Sequence, residues 1–269
     1  MNTTGRRVLI TGAASGLGAA LVCRTAAAGD RVLATDLQPI APPRRSGSSS
    51  PGGRSTIRLD VTSDDDWAAA RDWVTREWGG LDVLVNNAGI AGGGRLEVAG
   101  MDEWQRLTEV NLLGVARGMR TFVPLFKQQR SGHIVNVASL AGLVPPAGMA
   151  GYNAVKAAVV ALSETASHEL AAYGVRCSVV CPSYFRSPIA DHMDGSDPVV
   201  TSVVRRLVEA SPASADDIAA AILGGIEHGD ELILPDEAAR AAYALKHSDR
   251  AAYDEMMRAQ AAKLEAARG

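Results

Sequence analysis

The stretch RRVLITGAASGLG, residues 6–18, is a short β-branched run that passes at once into three glycines spaced G-x-x-x-G-x-G. RRVLIT (6–11) reads as a strand. The Ala-rich segment 16–28 that follows reads as a helix ending before Gly29. A strand entering a helix through a glycine-rich turn is the opening unit of an α/β sheet. Gly12, Gly16 and Gly18 let backbone approach a pyrophosphate at a helix N-terminus, where unpaired N–H groups and the helix dipole favour anions. The spacing departs from G-x-G-x-x-G, so taken alone the loop suits a structural turn as well as a phosphate site.

The remaining chain repeats the alternation. Strands are predicted at 31–36, 56–61, 81–89, 132–139, 175–182 and 231–235. Helices are predicted at 64–78, behind the acidic cluster Asp64, Asp65 and Asp66, at 102–129, as one helix or a pair kinked at Pro124, and at 152–172. Nearly all-apolar strands alternating with helices imply a parallel sheet covered on both faces. The expected fold is α/β, a Rossmann-like doubly wound parallel sheet flanked by helices, with a C-terminal helical extension. Residues 1–235 form one domain in this reading. Residues 236–269 form the extension, two helices broken near His247–Ser248 with Ser248 or Asp249 as cap. Its stripe of Tyr253, Met256, Met257, Gln260 and Leu264 suits packing on the domain or on a partner subunit. Segment 37–55 breaks the rhythm, because its Pro and Gly residues deny a helix. It carries Arg44 and Arg45, with Arg54 at its end.

Composition bounds the function. Of 269 residues, 47% are hydrophobic and 21% charged, which supports a packed core. A net charge of −3 gives no reason to expect nucleic acid or an anionic membrane as partner. The three cysteines, Cys23, Cys177 and Cys181, lack metal-ligand spacing and read as thiols of a reducing compartment. No metal is expected. No signal-like segment and no apolar run of ~18 residues is present, so a cytoplasmic location is expected.

In such a sheet, ligands bind beyond the carboxyl ends of the strands. Asp36 ends the second strand, 18 residues after Gly18. A carboxylate there can accept both ribose hydroxyls of an adenosine and repel a 2′-phosphate; a helix cap is the plainer alternative. NNAG (86–89) ends the fourth strand and can pin neighbouring loops through its amides. Ser139 ends the fifth. Asn111 sits inside a helical stretch, where Asn is a poor choice, and suggests a hydrogen-bonding task or a kink. The helix GYNAVKAAVV (151–160) places Tyr152 and Lys156 four apart on one face. A free phenol has a pKa of ~10, and an adjacent ammonium favours the phenolate.

Together TGAASGLG, Asp60, NNAG, Asn111, Ser139 and YNAVK resemble the short-chain dehydrogenase/reductase family over about residues 6–235. Ser139 lies 13 residues before Tyr152, and Tyr152 four before Lys156, as in that family. The resemblance implies Tyr152 as general acid/base, Ser139 holding the substrate oxygen, and Lys156 binding the nicotinamide ribose and lowering the Tyr152 pKa. Asn111 would hold a water linking Lys156 to solvent. Gly12, Ser15, Gly16, Leu17 and Gly18 would surround the pyrophosphate, Asp60 and Val61 the adenine, and Asn87, Ala88 and Gly89 the adjoining ribose. Pro182 and Ser187 would contact the carboxamide end, Ser187 standing where the family often has Thr. The family commonly has Pro-Gly after the sixth strand, whereas Pro182 is followed here by Ser183. Tyr184 and Phe185 beside it hint at an apolar or aromatic substrate.

The resemblance implies an alcohol dehydrogenase or ketone reductase working as a homodimer or homotetramer through helices 102–129 and 152–172; Asp36 favours NAD, and the few charges in 90–95, 140–149 and 184–210 favour a neutral, apolar secondary alcohol or ketone. An NADP-dependent carbonyl reductase is the alternative, supported by the loop arginines. A non-enzymatic dinucleotide-sensing protein is another, which the set Ser139, Tyr152 and Lys156 argues against.

Overall fold

The structure is a computed structural model and describes residues 5–41, 53–188, 193 and 195–267. Arg44, Arg45 and the greater part of segment 37–55 lie outside the described residues. Strands β1 (Arg7–Thr11), β2 (Arg31–Asp36), β3 (Arg54–Arg58), β4 (Val83–Asn86), β5 (Gly132–Val137), β6 (Val175–Val180) and β7 (Leu232–Ile233) form one parallel sheet in the order β3-β2-β1-β4-β5-β6-β7. The order reverses between β1 and β4, so the loops after these two strands open a crevice at the sheet's carboxyl edge.

Helices cover both faces, because successive strand residues point to opposite sides. Leu9, Leu33, Leu84 and Ile134 face α2 (Asp64–Trp78) and α4 (Gly114–Gln129), burying Trp67, Phe122 and Phe126. Their neighbours Val8, Ile10, Val32, Val83 and Val135 face the other way. There they meet Leu17 and Leu21 of α1 (Gly16–Ala27) and Ile218 and Ile222 of α7 (Ala215–His228). No helix among the described residues is long and apolar enough to cross a membrane.

Several boundaries differ from the sequence reading. β3 covers 54–58 rather than 56–61, because it is an edge strand whose ladder with β2 closes at Asp36↔Arg58. Asp60 and Val61 therefore leave the sheet and form the turn into α2, which Ser63 caps. Segment 102–129 is irregular at Asn111, not at Pro124. α3 (Met101–Thr108) widens into a π-helical turn, Glu109–Leu113, before α4, which keeps Pro124 within it. The quoted Tyr–Lys helix is α5 (Ala150–Leu170), two residues earlier at each end than expected. α6 (Pro198–Glu209) and α7 were not anticipated, although Asp197 caps one and the Ser214/Asp217 capping box starts the other. The extension forms α8 (Glu237–Ser248) and α9 (Arg250–Ala266), with Asp249 rather than Ser248 accepting the capping bond, from the Ala252 N–H.

At the opposite edge of the sheet, His133 is buried at the start of β5. The Ser178 hydroxyl donates to the Asp230 carbonyl at 2.6 Å, so it accepts from His133 Nε2–H at 2.7 Å. His133 Nδ1 is then buried without a partner. Burial holds the imidazole neutral, with Arg176 and Arg6 adding repulsion, and brings its pKa down to about 4. A base whose folded pKa lies below its unfolded value binds more protons when unfolded, so stability falls as pH drops from 6.5 towards 4. Wild type should lose about 3 kcal/mol through this group. Urea unfolding at pH 7 and pH 4 for wild type and His133→Gln checks it; equal pH losses in the two proteins would acquit the histidine.

Candidate active site

Thr11 ends β1, and Gly12 and Gly16 follow with φ of 66° and 51°, the left-handed region that glycine enters at little cost. A Cβ on Gly18 would lie 2.0 Å from the Gly12 carbonyl oxygen and 2.6 Å from Asn87 Nδ2. The loop, α1 and the NNAG turn are therefore in direct contact. Asn87 Nδ2 donates to the carbonyls of Thr11 at 2.8 Å and Gly12 at 3.2 Å. The backbone N–H groups of Asn87 and Ala88 both donate to Thr11 Oγ1, each at 3.0 Å. Thr11 thus ties the glycine loop to NNAG, a task its place at the end of β1 made discernible and the sequence reading passed over. Ser15 is the exposed N-cap of α1 and makes no side-chain capping bond. Leu17 is buried in the core, so it can offer a ligand only its backbone.

Asp36 accepts from Ala14 N–H at 2.9 Å and from Gln38 N–H at 2.8 Å, one bond on each oxygen. A carboxylate has about four acceptor sites, so capacity for hydroxyl donors remains. Asp60 turns one oxygen to the N–H and hydroxyl of Thr62, which hold its pKa below the usual range. The Val61 carbonyl accepts from Trp67 Nε1 at 3.0 Å.

The π-helical turn explains Asn111. Its side chain is fully buried and pairs with both backbone groups of Ile90, accepting at 2.9 Å and donating at 3.0 Å. A Cβ on Gly89 would lie 2.7 Å from Asn111 Oδ1 and 3.6 Å from Lys156 Nζ, so Asn111 and Lys156 converge on the end of NNAG. Lys156 is 4% exposed and donates to the Val137 carbonyl at 3.0 Å. Burial pushes its pKa down to about 8.

Ser139 accepts from Ala141 N–H at 3.2 Å, and its side chain is near enough to the Tyr152 phenol to act on its pKa. Lys156 Nζ stands 5.7 Å from the centre of the Tyr152 ring. The expected lowering of the phenol pKa by Lys156 is not met in the protein alone. Burial pushes Tyr152 up to about 12, with the Ser139 bond pulling the other way.

The loop after β6 completes the crevice. Pro182 is buried and its carbonyl accepts from Leu140 N–H at 2.9 Å. Ser183, where a glycine was expected, donates its N–H to Asp236 at 2.9 Å and its hydroxyl to the same carboxylate. Asp236 also caps α8 through Ala239 N–H. Ser187 packs against the glycine loop, its Cβ 3.6 Å from where a Gly16 Cβ would stand, and its hydroxyl is buried without a partner. Tyr152 and Tyr184 meet an apolar cluster of Ala91, Met149, Met193, Val200 and Val204. Phe185 packs instead against the core between α1, α7 and the sheet. Among the described residues no group of three or more His, Cys, Asp or Glu is placed to hold a metal.

A glycine loop at the switch point of a parallel sheet, with a Ser–Tyr–Lys cluster beside it, defines an α/β oxidoreductase of Rossmann type. The short chain dehydrogenase family pattern matches residues 6–196, and the chain belongs to that family. It is 36% identical over 187 residues to a 3-alpha-(or 20-beta)-hydroxysteroid dehydrogenase of Mycobacterium bovis, covering 70% of this chain and 72% of the relative. Among solved structures it is similar to a short chain dehydrogenase/reductase from Burkholderia phymatum in complex with NAD. That likeness has a TM-score of 0.82 and 31% identity, covering 93% of this chain and 95% of the other. A short-chain dehydrogenase from Sphingobium yanoikuyae in complex with NADPH gives a TM-score of 0.72 at 28% identity, over 91% of this chain and 94% of the other.

Proposed function

We propose that the protein is an NAD-dependent dehydrogenase acting between a neutral, apolar secondary alcohol and its ketone. The observation that carries this is the convergence of Ser139, Tyr152 and Lys156 beside an apolar cluster that includes Ala91, Met149, Met193 and Val200. The dinucleotide, when bound, supplies the hydride acceptor or donor. Ser139 positions the substrate oxygen beside Tyr152. Tyr152 takes the hydroxyl proton during oxidation and returns it during reduction, with Lys156 as the cation that favours its phenolate. Asn111 fixes the turn at Gly89–Ile90 against which Lys156 lies. A protein that only sensed dinucleotides would need none of Ser139, Tyr152 and Lys156.

The residues present fit a dinucleotide. Gly12, Ser15, Gly16, Leu17 and Gly18 would hold its pyrophosphate, and Asp36 its adenosine ribose. Asp60 and Val61 would border the adenine, Asn87, Ala88 and Gly89 the ribose beside it. Tyr152 and Lys156 would hold the nicotinamide ribose. Pro182 and Ser187 would meet the carboxamide, for which the unpartnered Ser187 hydroxyl is a ready group. Residues 1–235 are the dinucleotide-binding and catalytic domain in this reading, and 236–269 an extension packed on it. The enzyme is cytoplasmic, in keeping with three free cysteines, and a homodimer or homotetramer paired through α4 and α5.

NAD rather than NADP follows from the Asp36 charge. Arg54 stands apart from it, since it pairs with Val32 at the start of the β2–β3 ladder, four residues before Asp36. NAD should bind at least about tenfold more tightly than NADP, a difference of about 1.4 kcal/mol, and Asp36→Asn should narrow that gap. Fluorescence titration of wild type and variant with both dinucleotides reads it. Tighter NADP binding by wild type would overturn the assignment.

A further inference from the structure

We propose that α9 is the end wall of the alcohol-binding cavity and that Leu264 sets the size of substrate that fits, selecting compact secondary alcohols over long ones. The inference rests on the catalytic reading of Tyr152.

Leu264 packs against the same apolar cluster as Tyr152 and Tyr184. Its approach is close: a Cβ on Gly148 would lie 3.0 Å from Leu264 Cδ1 and 2.9 Å from Val200 Cγ2. Gly148 precedes Met149, whose sulfur lies 3.8 Å from the Tyr184 hydroxyl. Leu264 also lines an open recess of about 310 Å³, with Leu96, Pro146, Gly148 and Ala261 and with the charged Arg95, Glu97 and Glu265. Leu264 thus touches both the Tyr152 cluster and a space already present, and its truncation would widen the way between them.

The extension that carries Leu264 is tied to the loops after β4, β5 and β6. Asp236 binds Ser183 after β6. Lys246 donates to the Leu143 carbonyl, just beyond the turn that Ser139 caps. Arg95 pairs with the buried Asp197 carboxylate at 2.6 Å, which caps α6, and stands 3.7 Å from Glu265 beside Leu264. The exposed Glu265 contact contributes little energy, while the ties at Asp236 and Lys246 hold α8, from which α9 continues.

The test compares 2-butanol with 2-octanol, with saturating NAD, for wild type and Leu264→Ala. The ratio of kcat/KM for 2-octanol over 2-butanol should rise about tenfold in the variant, the scale on which apolar pockets discriminate chain length. NAD affinity should stay unchanged, and 2-butanol serves as the reference substrate within each protein. An unchanged ratio in a folded, NAD-binding variant overturns the proposal. A second measurement separates it from the catalytic reading: binding of 2-butanone and 2-octanone to the NADH-loaded proteins, followed by thermal shift. If wild type oxidises no alcohol, the catalytic reading fails. The wall is then supported by a variant-specific gain in 2-octanone binding and overturned by its absence.

Discussion

Replacing Tyr152 by Phe is expected to lower turnover by ~10²-fold or more while leaving the fold and NAD affinity in place, the usual scale for loss of a general acid/base. The substitution keeps the ring that meets Met149 and Val200 and removes only the phenol oxygen. Wild-type alcohol oxidation should rise with pH, because in the proposed mechanism the proton acceptor is the phenolate, and ketone reduction should fall over the same interval. In the protein alone the phenol stands at about 12, pushed up chiefly by burial. The apparent pKa with NAD bound should lie below that of free tyrosine, and the distance between the two values measures the pull of the surrounding cations. Steady-state kinetics across pH, beside direct NAD titration, decides the matter. Near-normal turnover by a folded Tyr152→Phe protein removes Tyr152 from the chemistry.

Lys156→Met should separate activity from stability. Turnover and NAD affinity should fall together, turnover by ~10²-fold, because one cation serves both the phenol and the ribose. Stability should move the other way. The Lys156 pKa is depressed to about 8 by burial, below the unfolded value, so the charged ammonium destabilises the fold at every pH under 8. That penalty fades as pH rises through 8 towards 10.5, where the unfolded chain binds the extra proton. Allowing for the lost bond to the Val137 carbonyl, the variant should be more stable than wild type by about 2 kcal/mol at pH 7. The difference should shrink above pH 8. Denaturant unfolding at pH 7 and pH 9.5 reads this; a variant less stable at pH 7 would show that the ammonium is better satisfied than its burial implies.

Much of this site was legible because its chemistry is written in short-range order. Tyr152 and Lys156 lie one turn apart on α5, and a helix fixes their relation without outside help. The strands were legible for the same reason, as apolar runs between glycines. Asn111 was legible as a misfit, and the structure answers it with a widened turn and a paired amide. Pro124 misled, because a proline in the body of a helix signals a break that α4 tolerates. The phenol pKa misled as well. Spacing showed a cation one turn away, but the burial that raises the phenol pKa comes from segments distant in sequence packing together. Asp236 was unreadable as a partner of Ser183, since nothing local joins residues 53 positions apart.

The Ser183–Asp236 pair couples the crevice to the tail. A glycine at 183 would keep the backbone N–H that Asp236 accepts but bring no hydroxyl, so one of the two bonds would go. Asp236 also caps α8, so the carboxylate that seats the loop after β6 is the one that starts the extension, and a change at either end of the pair is felt at both.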